Sequence, residues 1–209
     1  MITTQLQYAS RNKPAANLLH DAFDDRELVE INGRKFVINP LTEQIPATSP
    51  ALLQQAADCL LHVTDCRDAD KLAGEEDKGG ILVAATALTA GLPFGLARWY
   101  PSGLGGQVAV SFECEYAGGC LYLNGVNRGD RVIIVDDLIS TGGTMVALIE
   151  ALRRAGAHIL DVICVAEKIE YEGSARVKQE TGLEVKTLVR LSISGPRAQV
   201  VNLHPAITG

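Results

Sequence analysis

Apolar and polar positions change rhythm along the 209-residue chain. Residues 51–64, ALLQQAADCLLHVT, combine good helix formers with apolar positions at helical spacing and predict a helix. Before it, LVEINGRKFVINP reads as two strand-like runs around Asn32-Gly33, a strong hairpin turn. From Lys71 onward, apolar strands alternate with helices. That is the signature of an α/β layer built on a parallel sheet. Ile81–Ala97 is nearly uncharged over 17 residues. It is shorter than the about 20 residues of a membrane-spanning helix and is interrupted by Gly91 and Pro93. It predicts a buried helix, a turn and the start of a buried strand.

The clearest unit begins at the Gly129-Asp130 turn. Val132–Val135 is an unbroken apolar run, as expected for a central strand covered on both faces. Met145, Leu148, Ile149 and Leu152 then recur at i, i+3, i+4 and i+7, one apolar helix face. Arg153 and Arg154 suit the negative end of that helix dipole, and Gly156 suits its stop. His158–Val165 predicts the next strand, 173–181 a short helix and Leu183–Ile193 a further strand. Strand, loop, helix and strand in this order form a right-handed crossover.

Between strand and helix lies DDLISTGGT, residues 136–144. Ligands of such sheets sit outside the carboxyl ends of the strands. Thr141, Gly142, Gly143 and Thr144 run into a helix N-terminus. Glycines admit close backbone N–H approach, hydroxyls add donors, and the helix dipole favours negative charge. The segment reads as a phosphate cradle. It lacks the lysine of GxxxxGK[ST] and does not match GxGxxG. Asp136 and Asp137 would repel a phosphate unless something lay between, and a ribose fits. Its hydroxyls can donate to the two carboxylates while its 5′-phosphate rests on the loop. The structural alternative is a plain capped turn with Ser140 or Thr141 as N-cap.

Composition narrows the partners. The chain is 47% apolar and 21% charged, with net charge −6 and a pI near 5.2. That balance argues against a general nucleic-acid or anionic-membrane surface. The five cysteines, without paired CxxC spacing, read as reduced thiols of a cytoplasmic protein. The four histidines are too dispersed for a metal cluster, so no protein metal site is expected. The N-terminus lacks the order of a signal peptide.

VIIVDDLISTGGT resembles the phosphoribosyl pyrophosphate (PRPP) motif of type I phosphoribosyltransferases. GLPFGLARWYP resembles the strand after the pyrophosphate-binding segment of the purine enzymes, with Arg98 at the basic position. SFECEYAGG is similar to the flexible-loop motif of the adenine enzymes, matching Glu115 and Tyr116. LYLNGVNRGDRVIIVDDLISTGGT and ETGLEVKTLVRLSI resemble archaeal-type hypoxanthine enzymes, as does FVINPLTEQIP. The resemblance covers about residues 28–195. It implies a type I fold, a central mostly parallel sheet flanked by helices. Residues 1–50 would form a small N-terminal hood, and residues 51–209 a core with a flexible loop at about 100–120.

The resemblance implies transfer of the phosphoribosyl group from PRPP to a purine base. Asp136 and Asp137 would hold the ribose, and Ser140, Thr141, Gly142, Gly143 and Thr144 the 5′-phosphate. Lys78, Gly79 and Arg98 would attract the pyrophosphate, with Mg²⁺ carried mainly by PRPP. Glu115 would handle the proton at the base, Tyr116 would help close the loop, and Leu138 would pack on the base. Two departures stand out. The pyrophosphate loop, expected near 73–80, reads AGEEDKGG and is unusually acidic, and Trp99 follows Arg98 where many relatives carry a second basic residue. Adenine and 6-oxopurines both stay open as acceptors, as does a secondary-metabolite heterocycle. Orotate is disfavoured because Trp99–Asn127 contains no Lys or Arg. A PRPP-sensing regulator of the same fold is the non-catalytic alternative. Residues 1–50, however, show no clear recognition helix and carry five basic residues against six acids. The analogical assembly is a homodimer, with no nucleic-acid or membrane partner.

Overall fold

The computed structural model describes residues 17–113 and 118–207. The first described element is α1 (Leu18–Phe23), capped by the Asn17 side chain. The hairpin of β1 (Arg26–Ile31) and β2 (Arg34–Val37) pairs Ile31 with Arg34. Asn32-Gly33 is therefore a two-residue loop, and both residues take positive φ (52° and 75°). That matches the twist of the strands it joins. Then come α2 (Pro50–His62), β3 (Lys71–Glu75), α3 (Gly79–Ala90), β4 (Phe94–Arg98), β5 (Val108–Glu113) and β6 (Gly118–Leu123). The second half contains β7 (Arg131–Ile139), α4 (Gly143–Ala155), β8 (His158–Lys168), α5 (Gly173–Thr181), β9 (Lys186–Ser192) and β10 (Arg197–Leu203).

Among the described residues the strands form one sheet in the order β2-β1-β10-β9-β8-β7-β3-β4-β6-β5. The five central strands, β9-β8-β7-β3-β4, are parallel. Antiparallel strands extend both edges, β10, β1 and β2 on one side and β6 and β5 on the other. The expected parallel layer is thus the centre of a wider mixed sheet. The segment expected as a loop at about 100–120 contains β5 and the start of β6, which pair from Val108↔Leu123 to Glu113↔Gly118.

β7 is buried on both faces because its side chains alternate between two cores. Ile133 and Val135 join Ile163, Val165 and the apolar sides of α2 and α3. Val132 and Ile134 join Val162, Cys164 and the α4 face of Met145, Leu148, Ile149 and Leu152. All four of those helix positions are buried, as the spacing predicts. Gly156 ends α4 in the left-handed conformation (φ 80°), its N–H bonded back to the Arg153 carbonyl. Two boundaries differ from expectation. β7 runs on through Asp136 to Ile139 because its ladder with β8 continues to Ile139↔Glu167. β3 holds residues 73–75 within the sheet by pairing with β4, so the expected 73–80 loop shrinks to Glu76–Lys78.

The β3–α3–β4 and β7–α4–β8 crossovers leave the β3–β7 seam in opposite directions. A seam of this kind opens a crevice at the carboxyl ends of its two strands. Leu148→Ala should lower unfolding free energy by about 3 kcal/mol through lost burial and an unfilled cavity. Denaturant midpoints would report it, and a loss below about 1 kcal/mol would contradict this packing.

Candidate functional site

The crevice is lined where the seam predicts. Glu75 closes β3, Asp136, Asp137 and Leu138 close β7, and Lys168 closes β8. Trp99 follows β4, and Asp77 and Lys78 come from the loop before α3. Phe36, Val37, Thr42 and Glu43 cover it from the N-terminal segment. A second hollow, bounded by Asp136, Leu138, Thr144 and the Ser140–Gly143 turn, adjoins it. The two share Asp136, Leu138 and Thr144, so one elongated ligand can occupy both.

The turn into α4 is shaped for an anion. Gly142 is the N-cap at φ 77°, and no side chain caps the helix. The amides of the first helical turn therefore lack an internal acceptor. The Ser140 hydroxyl is buried without a hydrogen-bond partner among the described residues. This removes the capped-turn alternative, since neither Ser140 nor Thr141 serves as cap. A β-carbon on Gly142 would lie 2.6 Å from the Gly173 carbonyl oxygen at the start of α5. The Arg176 guanidinium donates to the Thr141 carbonyl at 3.4 Å from the same helix. The turn is thus held from the α5 side.

The acids are the costly part. Asp136, Asp137 and Glu75 are 8%, 5% and 7% exposed. Asp136 Oδ1 accepts from the Asp137 N–H at 3.0 Å. A β-carbon on Gly79 would come within 2.5 Å of that same oxygen, so glycine lets α3 begin against the carboxylate. Asp137 Oδ2 is buried without a hydrogen-bond partner among the described residues. Glu75 Oε1 accepts from the Asp77 N–H at 2.9 Å and from the Trp99 indole N–H. Burial, then Asp137 and Glu75, pushes Asp136 well above the usual carboxylate range. Burial chiefly raises Asp137 to about 6. Burial, with Asp77 and Asp137 adding repulsion, raises Glu75 to about 7 against its two N–H donors. Such a group favours a ligand that brings hydroxyl donors or positive charge.

Basic residues around the crevice are mostly engaged. Lys78 Nζ lies 2.6 Å from Glu43 Oε1 and 5.7 Å from the Phe36 ring centre. Arg98 pairs with Glu76 at 3.3 Å, near the Tyr100 ring, and does not line the crevice. Lys168 Nζ donates to the Lys35 carbonyl at 3.1 Å and sits over the Phe36 and Tyr171 rings. Sequence reasoning passed over Lys168, Phe36 and Glu43. Lys168 had a signal, a lysine ending the apolar run ICVAEK at the ligand side of the sheet. Glu115 and Tyr116 lie outside the described residues.

A buried carboxylate pair beside an uncapped turn, at the switch point of a parallel sheet, is the arrangement of an α/β protein whose ligand sits at the carboxyl ends of its strands. The phosphoribosyl transferase domain family model matches residues 77–191. A hypoxanthine/guanine phosphoribosyltransferase of Methanothermococcus okinawensis is 41% identical over 177 residues, covering 85% of this chain and 95% of its own. One from Methanocaldococcus jannaschii is 38% identical over 176 residues, covering 84% and 95%. Among solved structures, adenine phosphoribosyltransferase of Rhodothermus marinus superposes with a TM-score of 0.67 at 28% identity, covering 80% of this chain and 94% of that one. The Thermoanaerobacter pseudethanolicus enzyme, at 22% identity and a TM-score of 0.68, shares the fold, covering 79% and 95%. The chain belongs to the phosphoribosyl transferase domain family, in the purine branch of its type I members.

The raised carboxyls link stability to pH. Glu75 holds its proton more tightly folded, at about 7, than at its ordinary 4.5. Its contribution is therefore complete below about pH 4.5 and is lost as pH rises through 7. Between pH 5 and 7.5 the ligand-free protein should lose on the order of 2 kcal/mol from this group. Glu75→Gln should flatten the dependence. Unfolding midpoints across that range test it, and equal slopes for both proteins would contradict it.

Proposed function

We propose that the protein transfers the 5-phosphoribosyl group of PRPP to a purine base, giving a nucleoside 5′-monophosphate and pyrophosphate. The observation that carries this is the continuity of the buried Asp136-Asp137 pair with the uncapped Ser140–Gly143 turn. Ribose hydroxyls donate to Asp136 and Asp137. The 5′-phosphate accepts from the Ser140 and Thr141 hydroxyls and from the amides of Gly142, Gly143 and Thr144. The C1–oxygen bond to pyrophosphate breaks as a ring nitrogen of the base bonds to C1, and that nitrogen gives up its proton. In the transition state C1 is cationic, and the two carboxylates lie beside the growing charge. We assign receipt of the ring proton to Glu115 and loop closure to Tyr116. Lys78, beside Gly79, faces the leaving group, Arg98 stays paired with Glu76 outside the crevice lining, and Leu138 packs on the base.

The base end points to a 6-oxopurine. Lys168 is buried in the crevice wall and its ammonium only donates. It suits a ring carbonyl and disfavours the exocyclic amine of adenine, while Phe36 supplies an apolar face. The hypoxanthine/guanine relatives support the same acceptor. In this reading residues 1–50 are the hood that carries Phe36 and Glu43 over a core of residues 51–209.

Magnesium fits the donor set, since Mg²⁺ takes oxygen ligands and Asp137 Oδ2 has no hydrogen-bond partner among the described residues. Among the described residues no group of three or more His, Cys, Asp or Glu is arranged to hold a metal alone. The ion would therefore be shared between the phosphates of PRPP and the carboxylates of Asp137 and Glu75. When bound, it neutralises charge on the departing pyrophosphate. We also assign a cytoplasmic homodimer. The four unpaired thiols among the described residues support a reducing compartment. No helix among those residues is long and apolar enough to cross a membrane.

Incubation with PRPP, Mg²⁺ and adenine, hypoxanthine, guanine, xanthine or orotate, read by mass, should yield the nucleotides of hypoxanthine and guanine. No nucleotide from any base would favour the sensor reading. The Asp136→Asn, Asp137→Asn double variant should lose at least about a hundredfold in turnover while remaining folded by circular dichroism. Near-normal turnover would remove the ribose assignment. Lys168→Met should lower kcat/KM for hypoxanthine by roughly tenfold or more with KM for PRPP unchanged, and unchanged hypoxanthine kinetics would refute its role.

A further inference from the structure

Lys168 ends β8, is 2% exposed and lines the crevice. A lysine has a long flexible stem and a strongly hydrated head, so burying it in one place requires neighbours that hold it. Two of these are ring faces. Lys168 Nζ lies 5.2 Å from the Phe36 ring centre and 5.1 Å from that of Tyr171. It also donates to the Lys35 carbonyl at 3.1 Å. Phe36 lines the crevice, whereas Tyr171 stands outside the lining. Tyr171 belongs to the 3-10 turn Ile169–Tyr171 that follows β8. Its ring covers Lys168, and its hydroxyl accepts from the Lys35 N–H at 3.1 Å. Beside it, Glu170 Oε1 accepts from the Ser192 hydroxyl at 2.7 Å and from the Ile193 and Ser194 N–H groups at 2.9 and 3.1 Å. The turn is therefore tied to the end of β9 and to β2 at once. The Tyr171 ring is in place before any ligand arrives.

We infer that Tyr171 is a positioning residue for the choice of base: from outside the crevice, its ring holds the Lys168 ammonium where a ring carbonyl of the base meets it. This role rests on the 6-oxopurine reading of the crevice. An aromatic face attracts a cation without taking one of its N–H donors, as a carboxylate would. Lys168 therefore keeps its charge and its direction together. Without the ring the lysine stem regains rotamers, and the base loses a fixed donor. The Tyr171 hydroxyl has a separate task, the tie to Lys35 in β2. Tyr171→Phe removes that tie and keeps the ring, while Tyr171→Leu removes both.

Steady-state kinetics of the full chain with PRPP, Mg²⁺ and hypoxanthine test this by a double-variant cycle. Tyr171→Leu should lower kcat/KM for hypoxanthine roughly tenfold. KM for PRPP should stay unchanged, since Tyr171 borders neither hollow. In the Lys168→Met background the same change should cost less than about twofold, because the ammonium it acts through is gone. Tyr171→Phe should restore kcat/KM to within about threefold of wild type. Trifluorophenylalanine at position 171 keeps the shape while drawing negative charge from the ring face. It should fall at least about threefold below Tyr171→Phe, and it carries the test if Tyr171→Leu fails to fold. Losses of equal size in both backgrounds, a KM for PRPP that rises with the loss, or a fluorinated ring equal to phenylalanine overturns the inference and leaves the reading of the base end standing. Wild-type kinetics in Lys168→Met, or no nucleotide from the wild type, overturns that reading itself.

Discussion

Three carboxylates buried at the ends of two neighbouring strands are the constraint on which this structure turns. Glu75, Asp136 and Asp137 are each over nine-tenths buried, and each is pushed toward its neutral form by burial and by its neighbours. A fold gains nothing from such a cluster by itself. Burying like charges together costs several kcal/mol unless donors or cations compensate. The compensation inside the protein is partial: backbone N–H groups at Asp77 and Asp137 and the Trp99 indole. Asp137 Oδ2 and the Ser140 hydroxyl remain for a ligand. In the proposed function, a sugar offering hydroxyls to the acids and a phosphate to the turn would complete both at once.

The scaffold supplies the rigidity that such a cluster needs. β3 and β7 pair from Lys71↔Val132 to Ala73↔Ile134, and their continuations carry Glu75 and Asp136 to the same edge of the sheet. Small residues make the final approach possible. Gly79 allows α3 to start against Asp136, and Gly142 allows the phosphate turn to lie against α5. The hairpin is tied to the same edge from the other side. The Lys35 ammonium reaches the Ile193 carbonyl at 2.8 Å, and its own carbonyl accepts from Lys168. Phe36 between them is thereby fixed over the crevice. Electrostatic preorganisation of this kind places donors and charges before the ligand arrives.

Much of this was legible from residue order, and the limits have physical causes. The period-3.6 face from Met145 to Leu152 and the apolar run at Val132–Val135 specified α4 and the buried part of β7, because both depend on local spacing alone. The Asn32-Gly33 hairpin was likewise a local matter of turn chemistry. The carboxylate pair and phosphate turn were visible as a motif. By sequence Glu75 belongs to an acidic loop, because pairing with β4, a long-range contact, is what draws it into the sheet. Lys168 and Phe36 join Asp137 around one crevice only through the folding of distant segments. The edge formed by β1 is set by pairing with β10 across most of the chain, Arg26 with Ala198, which periodicity does not encode.

The central claim is that Asp136 and Asp137 wait for ribose hydroxyls beside a turn that waits for a phosphate. Carbon-13 titration of the two aspartate carboxyls, with and without ribose 5-phosphate, tests that claim most directly. In the free protein the pair should titrate above the ordinary aspartate range, with Asp137 at about 6. Saturating ribose 5-phosphate should lower both midpoints, because hydroxyl donors stabilise the ionised form. Unchanged midpoints in the saturated complex would mean that the sugar does not reach the acids, and the account of this site would be wrong.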